Sequence, residues 1–223
     1  MFSQPHFVRD YRRLVKTLTA QHGHAEAMSR AVGGNYEAIG TAQAAALRTV
    51  GLRGTDYLID VGCGSGRTAF ALRDMKALRY FGVDVVPELI EHARIKAARP
   101  DWRFATVDGL YIPAEDDAAD FITFFSVLTH LTWSEGQVYL ADALRALKPG
   151  GTLLFSFLDN DQPEHRSAAG SLLAQLYMRL RAHGVKNVTL TRDQISTWAE
   201  RSGVSIEFHG PEHIGQSFCV VRA

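Results

Sequence analysis

Apolar positions recur in two different periods along this chain, and the change of period divides it. Residues 7–18 place Phe7, Tyr11, Leu14, Val15 and Leu18 at helical spacing with charged residues between them. Residues 24–32 fit a second, short helix, broken by Gly33-Gly34-Asn35. Asn35 stands where it can cap a third helix through Ile39, Ala42, Ala46, Leu47 and Val50, which Gly51 stops. None of these helices alternates with a strand. Residues 1–52 therefore read as a helical N-terminal cap, and residues 53–223 as the main domain.

From residue 57 the pattern alternates. Strands are predicted at 57–61, 79–84, 102–107, 120–125 and 152–157, with helices at about 66–75, 87–98 and 133–147 between them. The strands are nearly continuous apolar runs, as expected when helices cover both faces of a parallel sheet. Thr132 and Glu135 have the spacing of a capping box, and Pro149-Gly150-Gly151 ends that helix and turns into the fifth strand. A further helix is expected over 166–183. Thr191 and Gln194 cap another, with Ile195, Trp198 and Ala199 as its buried side. Two last strands, about 204–209 and 216–222, are joined through Gly210-Pro211, a connection too short for a crossover, so they should pair antiparallel. The expected fold is α/β: seven strands, mostly parallel with one antiparallel strand near an edge, flanked by helices.

Composition removes several function classes. Lys plus Arg and Asp plus Glu are equal at 24 each, so there is no basic footprint for nucleic acid or an anionic membrane surface. No run of 18 apolar residues exists, and Met1-Phe2-Ser3-Gln4-Pro5-His6 lacks the plan of a secretory leader. The two cysteines, Cys63 and Cys219, make no disulfide framework, so a reduced, cytoplasmic setting is expected. The nine histidines are scattered; His209 and His213 are four apart, but Gly210-Pro211 between them forbids a shared helical face. No protein-bound metal is expected.

The chemistry concentrates where the first strand ends. Leu58-Ile-Asp-Val-Gly-Cys-Gly-Ser-Gly-Arg67 runs from an apolar strand through Gly62, Gly64 and Gly66 into a helix. Such glycines allow a sharp turn and close approach of a ligand, and open α/β sheets build nucleotide sites at this point. The spacing is not the Gly-x-Gly-x-x-Gly of a dinucleotide site, because Arg67 stands where the third glycine belongs. Asp60 would also repel a pyrophosphate and favour a ligand with a cationic centre. Cys63 reads as a small packed residue, with no basic neighbour in sequence to lower its pKa. Arg67 reads either as a solvated helix residue or as one aimed at the substrate. Trp102, Trp133 and Trp198 read as packing.

Asp60-Val61-Gly62-Cys63-Gly64-Ser65-Gly66 resembles the first motif of the class I S-adenosylmethionine-dependent methyltransferases, and the later motifs follow in order. Gly82-Val83-Asp84-Val85 resembles the acidic motif that ends the second strand. Val107-Asp108-Gly109-Leu110 resembles the motif ending the third. Asp120 to Leu131 resembles the fourth, and Leu147-Lys148-Pro149-Gly150-Gly151 is similar to the family's turn before the fifth strand. The resemblance implies a Rossmann-like sheet and S-adenosyl-L-methionine as cofactor. It assigns Gly62, Cys63 and Gly64 to the methionine portion, with Asp60 acting on the ammonium or sulfonium directly or through water. It assigns Asp84 and Val85 to the ribose end, Asp108, Gly109 and Leu110 to the adenine, and Phe125, Ser126 and Val127 to the floor near the sulfonium.

His130 follows the fourth motif, where the methyl group should be presented. An imidazole ordinarily titrates at about pH 6.5 and can accept the proton that a hydroxyl loses as it attacks; the plainer reading is a histidine that only packs or hydrogen-bonds. Quinone-pathway members similar in this stretch carry glutamates ahead of the histidine. Ser126 and Thr129 stand here instead, which argues against metal assistance. Phe125-Ser126-Val127-Leu128 is also unlike the Asn/Asp-Pro-Pro-Tyr of enzymes that methylate nucleobase and glutamine nitrogens. The expected acceptor is a small polar molecule, a hydroxyl on a sugar or glycan precursor, with Tyr36, Arg67 and His130 on its side of the pocket and Arg30 placed with Tyr36 in the cap. N- or C-methylation of another small molecule, a non-catalytic cofactor-binding subunit and an NAD-dependent oxidoreductase are the other readings. No nucleic-acid or membrane partner is expected, and the oligomeric state is not legible.

Overall fold

The computed structural model describes residues 5–169, 185, 187–211 and 215–223. These residues group into two compact units, Met1–Gly109 and Leu110–Ala223. The segment expected as a cap lies inside the first unit. Eight strands form a mixed, mostly parallel sheet with helices around it, the fold class expected from the hydrophobic pattern.

The first unit opens with α1 (His6–Gln21), α2 (His24–Ala31) and α3 (Tyr36–Thr49). Asn35 occupies the position before α3, but its backbone is left-handed (φ 45°) and its side chain makes no cap hydrogen bond. Then come β1 (Tyr57–Val61), α4 (Arg67–Leu72), β2 (Arg79–Asp84), α5 (Pro87–Ala97) and β3 (Arg103–Thr106). The strands lie in the order β3-β2-β1, all parallel, with Asp60 opposite Gly82. Every residue of β1 is buried. Val15, Ala27, Met28 and Ala31 of α1 and α2 pack with Val86 and Leu89 at the start of α5, so the cap helices share a core with the end of β2. Trp102 stacks on Tyr80 and donates its indole N–H to the Leu78 carbonyl at 2.9 Å, a packing role.

The second unit contains β4 (Ala119–Phe124), α6 (Trp133–Ala146), β5 (Leu147–Asp159), α7 (Pro163–Ala169), β6 (Thr189–Leu190), α8 (Arg192–Ser202), β7 (Ser205–His209) and β8 (Ser217–Arg222). The order is β4-β5-β8-β7, with β8 antiparallel to both neighbours and β6 paired to the end of β5. Both capping boxes form: Thr132 with Glu135, and Thr191 with Gln194. Ile195, Trp198 and Ala199 are the buried side of α8.

Two expectations change, and a third is only partly covered. β5 begins at Leu147, so Pro149-Gly150-Gly151 lies within it. The turn survives as an irregularity, because the partner of Ala119 is Leu147 while that of Phe121 is Thr152. The two-residue β6 was not predicted, being too short to carry a period. The helix expected over 166–183 is described only as far as Ala169; the rest of that expectation, like His213 and the first four residues, lies outside the described residues. Among the described residues, no helix is long and apolar enough to cross a membrane.

Candidate functional site

The turn after β1 is held against the end of β2 by its own backbone. The amides of Gly62 and Cys63 both donate to the Val83 carbonyl, at 2.8 and 3.0 Å. Gly62, Gly64 and Gly66 all have positive φ (69°, 54° and 84°), a region that side chains with a Cβ rarely adopt. The crowding is also steric. A Cβ on Gly64 would come within 2.6 Å of the Val32 side chain, and one on Gly66 within 2.7 Å of the Ala93 backbone.

The turn converges on Asp84. Its Oδ2 accepts the Gly64 amide at 2.9 Å and its Oδ1 accepts the Val86 amide at 3.0 Å. A carboxylate offers about four lone-pair directions, so some acceptor capacity remains after the Gly64, Val86 and Val85 amides are served. Burial pushes the Asp84 carboxyl up to about 6, against the pull of the Val86, Gly64 and Val85 amides. The Asp84 carbonyl in turn accepts the Val107 amide at 2.9 Å, which fixes the end of β3 beside it. Asp108 follows and is exposed, Gly109 closes the first unit, and Leu110 opens the second.

Asp60 lies deeper, at 1% exposure, and accepts the Tyr80 hydroxyl at 2.6 Å. Burial raises its carboxyl to about 7, an effect that the Tyr80 hydrogen bond and the Arg67 charge partly offset. It is thus part of the core beneath the turn, held by the Tyr80 hydroxyl. Cys63 is buried with Sγ over Gly82, where a Cβ would sit 2.9 Å from the sulfur. Burial, then the Asp60 and Asp84 carboxylates, push its thiol well up. That chemistry is the opposite of an activated cysteine.

The N-terminal helices reach this turn at several points. Tyr36 donates its hydroxyl to the Ser65 carbonyl at 2.7 Å. Arg67 donates from Nη1 to the Val32 carbonyl at 2.6 Å. Arg12 donates from Nε to the Val85 carbonyl at 3.0 Å. Tyr11 packs against the cluster that joins α1 and α2 to the start of α5. Tyr36 and Arg67, both candidate site residues, are thus brought to the glycine turn. Arg30 is not; it pairs with Glu26 at 2.7 Å and lines a separate open cavity of about 650 Å³ with Leu14 and Leu18. Sequence reading missed Tyr11 and Arg12. Tyr11 sits on the apolar stripe of α1, where it counts as core, and nothing local distinguishes Arg12 from the other charges of that helix.

In the second unit Phe125 is buried at the end of β4. Ser126 holds a left-handed backbone (φ 61°), which for a residue with a side chain costs about 1 kcal/mol or more. Its amide donates to Ser156 Oγ at 2.8 Å, Ser156 Oγ donates to Gln216 Oε1 at 2.7 Å, and the Ser126 carbonyl accepts Thr129 Oγ1 at 3.0 Å. Val127 leads into a 3-10 turn, Leu128–His130, and accepts the His130 amide at 3.0 Å, leaving His130 half-buried at the turn's end. A fully buried carboxylate that the sequence did not announce, Asp159, accepts from Arg192 Nε at 2.9 Å and Ser217 Oγ at 3.3 Å. Its partners are 33 and 58 residues away, beyond any local pattern. Among the described residues no group of three or more His, Cys, Asp or Glu could hold a metal ion.

The first unit thus presents a glycine turn without side chains in the way and a buried carboxylate with acceptor capacity beside it. That donor and acceptor set fits the amino-acid end and the vicinal ribose hydroxyls of S-adenosylmethionine. Residues 58–151 match the family model described as a methyltransferase domain. An uncharacterized methyltransferase of Mycobacterium leprae is 27% identical over 164 residues, 67% of this chain and 59% of that protein. The malonyl-[acyl-carrier protein] O-methyltransferase of Serratia marcescens is 29% identical over 179 residues, 78% of this chain and 64% of that one. This chain spans roughly three fifths of the length of these curated relatives. Among solved structures, a SAM dependent methyltransferase from Aquifex aeolicus shares the fold, with a TM-score of 0.60, 18% identity and coverage of 93% of this chain and 97% of that one.

Proposed function

We infer that the chain, a class I S-adenosylmethionine-dependent methyltransferase by its domain at residues 58–151, methylates a small polar acceptor at a hydroxyl, on a sugar or a related metabolite. One observation carries the cofactor half of this reading: the carboxylate ending β2 is tied to the glycine turn ending β1 through the Gly64 amide. When bound, S-adenosylmethionine supplies a methyl group on a sulfonium, ready for in-line displacement. Asp84 serves the two ribose hydroxyls through the acceptor capacity its amide partners leave. Gly62, Cys63 and Gly64 offer backbone to the methionine portion, and Asp60 biases the turn toward cations from below. Asp108, Gly109 and Leu110 serve the adenine, and Phe125, Ser126 and Val127 serve the sulfonium end.

His130 is the base that takes the acceptor's proton. A hydroxyl is a poor nucleophile until that proton leaves, and an imidazole is suited to accept it near neutrality. The name of the Serratia relative, an O-methyltransferase, supports oxygen as the attacking atom. The acceptor is tested by incubating the protein with methyl-labelled S-adenosylmethionine and a panel of sugars, hydroxy acids and amines. Label in an O-methyl ether supports the reading; label found only in methyl esters, N-methyl or C-methyl products sinks it. With the acceptor identified, His130→Asn should lower kcat by about a hundredfold and leave the affinity for S-adenosylhomocysteine unchanged. Unaltered kcat across the pH range would remove His130 as the base.

A further inference from the structure

One hydroxyl interrupts the apolar run of β5. From Leu153 to Leu158 the strand reads Leu-Leu-Phe-Ser-Phe-Leu, all of it buried, and Ser156 is 1% exposed. A hydroxyl in such a place costs free energy unless its hydrogen and its lone pairs find partners. Ser156 finds both. Its Oγ accepts the Ser126 amide at 2.8 Å and donates to Gln216 Oε1 at 2.7 Å. With its one hydrogen committed to Gln216, the oxygen turns lone pairs to the amide.

That amide belongs to a strained residue. The β4–β5 ladder ends at the Phe124–Phe155 pair. Two residues later Ser126 holds φ 61°, a left-handed conformation that persists only where the surroundings over-determine it. Three bonds hold the segment there. Ser156 takes the Ser126 amide, the Ser126 carbonyl takes Thr129 Oγ1 at 3.0 Å, and the Thr129 carbonyl takes the Val188 amide at 2.7 Å. Between these anchors runs the 3-10 turn Leu128–His130, with half-buried His130 at its end. The direction in which the chain enters that turn is set at Ser126, and all of these groups lie in the second unit.

We propose that Ser156, oriented by Gln216, is a positioning residue for His130. This rests on the reading of His130 as the base and names what holds that base in place. Geometry comes before pKa in a proton transfer, and a displacement of about 1 Å can cost about a hundredfold in rate. Removing the Ser156 oxygen leaves the Ser126 amide without its acceptor. Ser126 then gains by relaxing out of the left-handed region, and the turn and its imidazole swing with it. A hydroxyl that served stability alone would have no such effect on the imidazole.

The test follows the imidazole itself. The full chain is prepared with isotope-labelled histidine as wild type, Ser156→Ala, Ser156→Thr and Gln216→Leu, and the His130 ring signal is identified by its loss from His130→Asn. NMR records that signal and its pH titration in each protein, with thermal unfolding alongside. A loss of stability alone lowers the unfolding temperature and leaves the native ring signal in place. The proposal expects the signal and its titration midpoint to move in Ser156→Ala, to return in Ser156→Thr, which keeps the hydroxyl, and to move less in Gln216→Leu. The His24 and His92 rings, in the first unit, should stay where they are. A His130 signal unmoved in Ser156→Ala overturns the proposal, as does one that moves equally in Ser156→Ala and Ser156→Thr. Should Ser156→Ala fail to fold, Gln216→Leu, at a half-buried position, decides by the same signal. On the acceptor that the labelled panel returns, kcat should fall by about tenfold in Ser156→Ala and recover in Ser156→Thr, with KM for S-adenosylmethionine little changed. Unaltered kcat in His130→Asn, beside a ring signal that Ser156→Ala still moves, would overturn the base reading and leave the coupling of Ser156 to the turn standing.

Discussion

Two carboxyl groups define the first unit at the residue scale, and both are held in a state that costs the unliganded protein stability. Asp60 rises to about 7 and Asp84 to about 6, in each case because burial disfavours the charge. Carboxyl groups in the unfolded chain titrate at about 4. Between that value and the folded one, the folded protein binds more protons, so these groups' contribution to stability falls as pH rises through the window from about 4 to 7. Asp60→Asn keeps an acceptor for the Tyr80 hydroxyl and removes the titration. It should stabilise the unliganded protein by about 4 kcal/mol at pH 7.5 and by only about 1 kcal/mol at pH 4.5. Urea unfolding at the two pH values checks this, and equal effects at both would refute the assignment of the slope to Asp60. Ionisation suits the ligand, because hydroxyl donors and cationic centres favour the charged carboxylates. The affinity for S-adenosylhomocysteine should therefore rise from pH 5 to 7.5, and calorimetry at the two ends would show it; a flat or falling profile would contradict the role given to these residues.

At the scale of elements, the turn between β1 and α4 is where conformation and packing coincide. Gly66 has φ 84° and a Cβ there would meet the Ala93 backbone at 2.7 Å, whereas Gly34 has φ 76° with nothing within 4 Å. Gly34→Ala should cost about 1 kcal/mol for conformation alone. Gly66→Ala adds a clash that neither α4 nor α5 can relieve without moving, for a loss of about 3 kcal/mol. Denaturant midpoints of the two variants test the difference, and equal losses would show that the α5 contact does not matter. Thr132→Ala, which removes one half of a complete capping box, should cost about 1 kcal/mol. These elements were legible because their determinants are local: a strand running into spaced glycines, a Thr three residues ahead of a Glu, and the Ile195, Trp198 and Ala199 stripe. Asn35 shows the limit of that logic. It occupies the predicted position, but the preceding Gly33-Gly34 turn brings the chain in with a left-handed residue, and the side chain does not cap.

At the scale of the whole molecule, the order of motifs along the chain carried the fold class and the nature of the cofactor, because each motif closes a strand of an alternating α/β pattern. The parts of the site that were not legible are those made by distant residues. Arg12 meets the Val85 carbonyl 73 positions later, and Arg67 meets the Val32 carbonyl 35 positions earlier. Nothing in the helical period of α1 or the glycine spacing encodes those meetings. They arise when the cap helices bury Val15, Met28 and Ala31 against the start of α5. The acceptor is illegible for a related reason: specificity is grafted onto a fold and does not follow from it.

The central claim is that the first unit is an S-adenosylmethionine site organised by Asp84. It is tested most directly by titrating the wild-type protein and Asp84→Ala with S-adenosylhomocysteine in a calorimeter, with NADH as the competing ligand class. The account predicts a wild-type Kd in roughly the micromolar range, loss of that binding in Asp84→Ala, and no heat of binding from NADH. Binding of NADH without binding of S-adenosylhomocysteine, or undiminished S-adenosylhomocysteine binding to Asp84→Ala, would contradict it.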